Sequence, residues 1–312
     1  MTPLTWMGRH ASALLLLGLV TVPLLPLSPD RLRPLLPALV VLVTALGIAR
    51  QPLDPATLRR LFAPGPVLGM VLWLALSQIG AALLVVGLGR LVGADPQLLL
   101  LLAAFFAAAP LGSAPNLCLM LGYDFSLGLR LTLLGTLLAP VLLPATLGLS
   151  GLPFEASVPQ LALRVCGMLS GGILLGLAIR ALWGGARIAR NTNILNGLAA
   201  LAMIAFLFPL LAGSREALMT RPHLVLGLLL LALTLNFGGN LLIRSAAMTM
   251  LPRPAARALG LVFGNRNTSV VLASLPFDPL LTLFVAAMQF PIYATPLLFS
   301  AFETPCPPSS ES

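Results

Sequence analysis

Long apolar stretches, separated by short clusters of Arg, Asp, Glu, Pro and Gly, dominate the pattern of hydrophobic and polar positions along the chain. A helix needs about 20 mostly apolar residues to cross a lipid bilayer, and ten stretches reach or approach that length. The pattern therefore predicts an all-α membrane protein with ten transmembrane helices, numbered in chain order. Their predicted bounds are about 10–27, 32–50, 66–90, 97–121, 125–148, 159–183, 192–213, 222–244, 254–275 and 278–302.

The two ends of the chain raise separate questions. The first stretch is short and follows Arg9, so a cleaved signal peptide is the alternative to a retained helix. No small-residue cleavage site follows this stretch, which favours the retained helix. The Pro- and Ser-rich segment 303–312 is predicted to be a disordered tail. No connection is long enough for a soluble domain, so residues 1–302 are predicted to form a single unit.

The composition supports a membrane protein and suggests its orientation. Only 9% of the 312 residues are charged, against about 25% in an ordinary soluble domain. This excludes a soluble enzyme, a disordered chain and a nucleic-acid binder with a basic face. All 18 basic residues are arginines, and the predicted helices place eleven on the side of both termini and six on the other side. Because positive loops stay in the cytoplasm, we expect a multi-pass protein of the bacterial inner membrane with both termini cytoplasmic.

The two halves of the chain carry interruptions at matching places. The fourth predicted helix contains Pro110-Leu-Gly-Ser-Ala-Pro-Asn116 in mid-span, and the ninth contains Gly264-Asn-Arg-Asn-Thr-Ser269. Proline removes a backbone donor and clashes with the preceding turn, so helix 4 should be broken, and the Gly/Asn cluster predicts the same for helix 9. Each is followed by a helix with two prolines. Five helices per half predict two inverted five-helix repeats whose broken helices 4 and 9 cross.

Broken helices in a membrane border a polar cavity or another break, because unpaired backbone groups are costly in hydrocarbon. Side chains of the two interruptions are therefore candidates for binding a substrate or an ion: Ser113, Asn116, Asn265, Asn267, Thr268 and Ser269. Gln78 in helix 3, Thr132 in helix 5 and Gln289 in helix 10 are further candidates. The alternative is a pair of kinks repaired by hydrogen bonds, with no ligand.

Arg266 is the least expected residue of the sequence, because it lies in the middle of a predicted span. A charge there costs about 2.5–3.5 kcal/mol on insertion scales. All nine acidic residues fall at span ends, in loops or in the tail, so no carboxylate lies at a similar depth. Two interpretations follow. Arg266 either caps carbonyl groups of the opposite broken helix or acts as a fixed cation that binds an anion.

Helices 3 to 5 resemble those of the bile acid:sodium symporter family. The run Pro110–Asn116, then Asp124, Thr132 and the segment Leu137-Leu-Ala-Pro140, is similar to that family's helices 4 and 5. The resemblance implies that Gln78 corresponds to a ligand of a second sodium site, and that Asn116 and Thr132 correspond to ligands of a first site. No other metal ligands are predicted.

The resemblance also implies an architecture of two groups of helices. Helices 1, 2, 6 and 7, at about 10–50 and 159–213, would form a panel. Helices 3–5 and 8–10, at about 66–148 and 222–302, would form a core that rocks against the panel around a substrate cavity.

Four positions depart from the pattern of that family. Pro115 and Gly128 stand where serine ligands are expected, Val262 where a glutamate shared by both sodium sites is expected, and Arg266 where a coordinating glutamine is expected. Sodium sites need hard oxygen ligands and usually a carboxylate. These departures predict a degenerate sodium site, in which Arg266 replaces the ion as a built-in positive charge.

The function that follows is secondary active transport of a small organic anion by alternating access, without strict coupling to sodium. No nucleophile with a base and no cluster of metal ligands is evident, so we expect neither an enzyme nor a cofactor. The expected partners are an anionic small molecule and the lipid bilayer, with no nucleic acid. Two alternatives remain: an arsenite or metabolite efflux carrier of the same fold, for which Cys118 is the candidate thiol, and a non-transporting membrane sensor.

Overall fold

A computed structural model of the chain describes residues 3–51, 53, 59, 64–154 and 156–302. All regular secondary structure in these residues is helical, which confirms the all-α fold class. The predicted tail at 303–312 lies outside the described residues. The main helices are α1 (Pro3–Arg9 and Ala11–Leu24), α2 (Pro29–Arg50), α3 (Val67–Leu91), α4a (Pro96–Ala107), α4b (Ala114–Met120), α5 (Phe125–Ser150), α6 (Val158–Trp183), α7 (Thr192–Leu211), α8 (Pro222–Ala247), α9a (Arg253–Gly264), α9b (Thr268–Ser274) and α10 (Pro279–Phe302). Two short helices, Gly185–Arg190 and Ser214–Thr220, lie in connections.

Seven of the described helices are long and apolar enough to cross a membrane, namely α2, α3, α5, α6, α7, α8 and α10. They make the chain compatible with a multi-pass membrane protein. The predicted first helix at 10–27 corresponds to the second part of α1, Ala11–Leu24. The first part, Pro3–Arg9, precedes the predicted stretch and meets the second at an angle of 83°, and α1 is an eighth candidate span only if both parts count as one. The helices predicted at 97–121 and 254–275 are interrupted, as expected.

Acidic residues mark the beginnings of several helices. The Asp95 carboxylate accepts hydrogen bonds from the amides of Gln97 and Leu98 at the start of α4a. The Asp124 carboxylate accepts one from the Leu127 amide at the start of α5. Such N-caps satisfy donors that lack a partner within the helix. They explain why these two acids lie at span ends.

Two of the spanning helices contain a π turn that the sequence pattern did not reveal. In α3 the π turn is Leu76–Gly80, and in α8 it is Thr234–Gly238. The third residue of each turn is a fully buried amide side chain, Gln78 or Asn236. A π turn inserts one extra residue into an α-helix and is frequent at functional sites. Both turns lie beside the interrupted helices.

Many helix contacts fall within two groups of helices, and further contacts, among them those of α5 with α6 and of α1 with α10, join the groups. In one group, α2 packs against α6 and α7, and α1 against α7. The approach of α6 to α2 depends on glycine, because a Cβ atom on Gly176 would lie 2.7 Å from the Ala45 carbonyl oxygen. In the other group, α8 packs against α9a and α10, and α5 against α3, α4 and α9a. The half-helix α9b contacts both α2 and α6, so it lies at the interface of the groups.

Candidate functional site

The two interrupted helices meet at their breaks. Pro110 and Arg266 form an isolated antiparallel bridge. The Leu111 amide donates to the Asn265 carbonyl oxygen at 3.0 Å, and the Asn267 amide donates to the Ala109 carbonyl oxygen at 2.7 Å. The extended segments between the half-helices therefore satisfy each other's backbone groups, which a membrane interior requires. This confirms the predicted crossing, although α4 crosses at 109–111, a few residues before the predicted Ser113–Asn116.

Glycine allows the neighbouring helices to approach this crossing. A Cβ atom on Gly135 in α5 would lie 2.4 Å from Pro110 Cδ. A Cβ atom on Gly264, the last residue of α9a, would lie 2.3 Å from the Asn236 carbonyl oxygen. Both distances are far shorter than van der Waals contact, so any larger residue would displace the helices that surround the crossing.

The Arg266 guanidinium is fully buried at the crossing and bonds to the backbone. Its Nε donates to the Phe263 carbonyl oxygen at 2.9 Å, its Nη1 to Ala108 at 3.2 Å and its Nη2 to Ser77 at 3.1 Å. The Phe263 carbonyl lies at the end of α9a, the Ala108 carbonyl directly follows α4a, and the Ser77 carbonyl lies in the π turn of α3. The geometry matches the first of the two interpretations of Arg266, in which it caps carbonyl groups, except that the capped carbonyls belong to three segments and not only to the opposite broken helix. Arg266 does not contact the cavity described below.

Asparagine side chains complete the hydrogen bonding of α9a. Asn236 Nδ2 donates to the Gly264 carbonyl oxygen at 2.9 Å and to Asn265 Oδ1 at 3.3 Å. Asn265 Nδ2 donates to the Leu261 carbonyl oxygen at 3.0 Å, and Thr295 Oγ1 lies 3.5 Å from Asn265 Oδ1. The Asn265 side chain, predicted to bind a ligand, is thus part of the structural network of α9a.

A cavity of about 100 Å³ lies between the crossing and the first group of helices. This volume holds several water molecules. Its apolar wall includes Val43, Leu133, Leu169, Phe206 and Ile292. Its polar residues come from α2, the two breaks, α5, the start of α9b and α10: Thr44, Arg50, Gln51, Ser113, Thr132, Thr136, Asn267, Ser269, Gln289 and Tyr293.

The predicted site residues divide into two sets. Ser113, Thr132, Asn267, Ser269 and Gln289 line the cavity. Gln78, Asn116, Asn265, Arg266 and Thr268 do not. Of the three residues assigned to a degenerate sodium site, only Thr132 reaches the cavity. Gln78 lies in the π turn of α3, and Asn116 lies in the first turn of α4b.

Three predicted site residues have buried polar atoms without a hydrogen-bond partner among the described residues. The atoms without a partner are Oε1 and Nε2 of Gln78 and the hydroxyl oxygens of Thr132 and Thr268. Leaving such a group unpaired costs about 1–3 kcal/mol, and native proteins rarely do so. By contrast, Thr136 Oγ1 donates to the Thr132 carbonyl oxygen at 2.8 Å, within its own helix. Gln289 Nε2 likewise donates to Val285 at 3.1 Å.

Sequence reasoning missed the contribution of α2. The residues of α2 on the cavity are Val40, Val43, Thr44, Gly47 and Ile48, followed by Arg50 and Gln51 at its end. The first five recur at the spacing of one helix face, which is the signal that could have identified this wall. The sequence predicts Arg50 as the last residue of helix 2, but charge and position alone do not indicate which way a helix end faces.

No group of three His, Cys, Asp or Glu side chains suited to a metal ion occurs in the part of the chain that the structure describes. Cys118 is buried in α4b and lies against Gly128 of α5, where a Cβ atom would be 2.8 Å from its Sγ. Cys118 does not line the cavity. No protein-family model matches the chain, and no curated protein matches its sequence.

Proposed function

We propose that this chain is a secondary active transporter that moves a small organic anion across the membrane by alternating access. The observation that carries the proposal is the cavity itself. It lies where the breaks of two crossing helices face α2, α6 and α7, and its wall combines apolar side chains with hydroxyl, amide and guanidinium groups. Transporters bind substrate at such sites, where interrupted helices meet near the bilayer midplane.

The proposed architecture has ten spans in two inverted five-helix repeats. Seven helices are long enough to span, and α1, α4 and α9 would complete the set. Three features recur in the same order in each half, and they support the repeat: a π turn with a buried amide, an interrupted helix and a helix with two prolines. These features and the helix-4 and helix-5 motifs support our proposal that the chain is a member of the bile acid:sodium symporter family.

The proposed transport movement is a rocking of the core, α3–α5 and α8–α10, against the panel, α1, α2, α6 and α7. Two panel arginines contact the end of α9b. Arg33 Nη2 lies 3.4 Å from the Leu275 carbonyl oxygen, and Arg164 Nη1 lies 3.2 Å from that of Ser274. Rocking would have to break these two hydrogen bonds. The free-energy cost is small if water at the membrane surface replaces the lost partners.

We further propose that transport is not strictly coupled to sodium. The Arg266 guanidinium already bonds three carbonyl oxygens at the crossing. At 4 Å and an effective dielectric constant of 20, it would repel a sodium ion by about 4 kcal/mol, which is about a thousandfold in affinity. We also propose that the substrate is an anion, and that the protein lies in the inner membrane of a bacterium with both of its termini in the cytoplasm. The buried position of Cys118 gives no support to the arsenite alternative.

The test is reconstitution of the full chain into liposomes with labelled organic anions, with and without a sodium gradient at constant ionic strength. We expect uptake of at least one anion at the same rate in both conditions. Steep dependence on sodium would contradict the role proposed for Arg266. Absence of uptake for every anion, cation and neutral compound tested would contradict transport and favour the membrane-sensor alternative.

A further inference from the structure

A second cavity, which we call the α9b groove, lies where the end of α9b meets the beginnings of α2 and α6. Its volume is about 570 Å³. Its wall includes Arg33 and Pro37 from α2, Arg164 and Met168 from α6, and Ala273 from α9b. No described residue lines both this groove and the cavity at the crossing. The groove is therefore a separate feature, formed by both groups of helices.

Two arginines lie side by side in the α9b groove. Arg33 Nη2 donates to the Leu275 carbonyl oxygen at 3.4 Å, and Arg164 Nη1 donates to the Ser274 carbonyl oxygen at 3.2 Å. Because Ser274 and Leu275 are consecutive, the two guanidiniums are neighbours at the end of α9b. Arg33 Cζ also lies 4.4 Å from the centroid of the exposed Phe277 ring, a cation–π contact that helps to hold its guanidinium in place.

These contacts leave most of the donors of the two arginines available. A guanidinium has five N–H donors, and each of the two hydrogen bonds to α9b uses one of them. Of the described residues that line the groove, three are charged: Arg33, Arg164 and the exposed Asp30 in the first turn of α2. Asp278 acts on Arg33 electrostatically, but it lies outside the lining, and its carboxylate caps α10 by accepting the Leu281 amide at 2.8 Å. The described lining thus carries two positive charges and one negative charge.

The two arginines also lie at the same depth in their helices. With a rise of 1.5 Å per residue, Arg33 is about 6 Å from the start of α2, and Arg164 is about 9 Å from the start of α6. The helices have 22 and 26 residues, so they are about 33 and 39 Å long. If each is centred on a hydrocarbon layer of about 30 Å, both arginines start about 4–5 Å inside its edge. Arginine side chains at this depth extend towards the lipid headgroups.

We propose that the α9b groove binds an anionic phospholipid of the surrounding bilayer. Its phosphodiester accepts hydrogen bonds from Arg33 and Arg164, and one acyl chain lies against Pro34, Pro37 and Ala273. Guanidinium groups donate to phosphate oxygens in pairs, and basic pockets between membrane helices bind anionic headgroups. The net charge of +1 on the described lining matches the charge of −1 on a phospholipid whose headgroup carries no cation. This inference requires that the chain lie in a membrane, but it is independent of transport.

A lipid in this position would join the two groups of helices. Arg33 and Arg164 belong to the first group, whereas the carbonyls that they contact and Ala273 belong to α9b of the second group. Because a ligand that binds only the folded protein stabilises it, an anionic lipid should raise the unfolding temperature as it fills the groove.

The experiment titrates the purified full chain in neutral detergent and counts bound lipids by native mass spectrometry. The probes are phosphatidylglycerol, phosphatidylcholine with the same acyl chains, and inorganic phosphate. One double variant, Arg33→Gln with Arg164→Gln, removes both guanidiniums, and a second, with lysine at both positions, keeps the charges. The matched control is Arg31→Gln with Arg215→Gln, which loses the same charge from two exposed arginines outside the groove.

We expect the unmodified chain to bind its first phosphatidylglycerol about fivefold more tightly than phosphatidylcholine, because the groove carries one net positive charge. The double glutamine variant should bind phosphatidylglycerol roughly 10- to 100-fold more weakly, which is the range for hydrogen bonds to a charged group. The double lysine variant should lose less, and the control should bind like the unmodified chain. Phosphatidylglycerol should raise the unfolding temperature of the unmodified chain and of the control, but not that of the double glutamine variant.

Three results would overturn the inference. Equal loss of phosphatidylglycerol binding in the double glutamine variant and in the control would mean that only the total charge matters. Equal affinity of the unmodified chain for the two lipids would exclude an anionic preference. Displacement of the bound lipid by inorganic phosphate at millimolar concentration would identify a site for a free anion. If the double glutamine variant does not fold, the double lysine variant decides, since binding weaker than that of the control is expected only if the guanidiniums contact the lipid. None of these results bears on uptake in liposomes, so the proposed function is tested separately.

Discussion

Gln78 and Asn236 occupy the third position of two π turns, one in each half of the chain, yet their amides have different surroundings. Asn236 donates to the Gly264 carbonyl oxygen and to Asn265 Oδ1. Gln78 is equally buried, but neither its oxygen nor its nitrogen has a partner among the described residues. The two interrupted helices are therefore stabilised differently, although they cross through symmetric backbone hydrogen bonds.

The polar side chains at the crossing are therefore of two kinds: those whose hydrogen bonds stabilise the backbone, and those without a partner among the described residues. The end of α9a is satisfied by side chains of its own half, Asn236 and Arg266. The carbonyl that follows α4a receives its donor from Arg266 of the opposite break. Arg266 thus donates to carbonyl groups at both breaks, and the amide of Gln78 is not needed for this purpose. We infer that Asn236 and Arg266 hold the crossing together, whereas buried polar atoms without a partner among the described residues occur in both halves, on Gln78 and Thr132 in the first and on Asn236, Asn240 and Thr268 in the second.

The largest effect should come from Arg266→Met. The substitution removes donors from three buried carbonyl groups, each worth about 1–3 kcal/mol when left unpaired, so we expect a loss of roughly 3 kcal/mol or more of unfolding free energy. Thermal unfolding of the purified protein in detergent measures the change. The control is Arg164→Met, whose guanidinium donates from Nη1 to the single carbonyl of Ser274. Similar losses in both variants would refute the special role of Arg266 at the crossing.

An intermediate effect is expected for Asn236→Leu. The substitution leaves the Gly264 carbonyl oxygen without the amide that now donates to it. A loss of roughly 1–3 kcal/mol should follow, visible as a lower unfolding temperature in the same assay. Thr234→Val, which removes an exposed hydroxyl bonded to the Leu230 carbonyl of its own helix, is the control in this π turn. An unchanged unfolding temperature in Asn236→Leu would mean that the two halves do not differ as described.

The smallest effect on stability should come from Gln78→Leu. Because the Gln78 amide has no partner to lose, an apolar side chain of similar size should leave the unfolding free energy within about 1 kcal/mol of its original value or raise it. Uptake in liposomes should nevertheless fall, since an available amide at the crossing is lost. A stability loss as large as that of Asn236→Leu would show that both amides are structural.

The interruptions of α4 and α9 were predictable because their causes are local. Pro110 and Pro115 remove backbone donors, and Gly264 and the asparagines that follow favour non-helical backbone. The mutual pairing of the two breaks also followed, since unpaired backbone groups need partners in a membrane. The function of the individual side chains did not follow. Asn265 and Asn267 are two residues apart, but the first bonds to α9a and the second lines the cavity.

The sequence by itself determined the helices, their approximate ends and the positions of the two breaks, because apolar length, proline and glycine act within a few residues. Tertiary structure alone decided the π turns, the three carbonyl partners of Arg266 and the place of Arg50 on the cavity wall. Each depends on how helices distant in sequence pack together. The direction in which Arg50 points follows from its bond to Asn196, 146 residues away, and no local pattern encodes a contact at that separation.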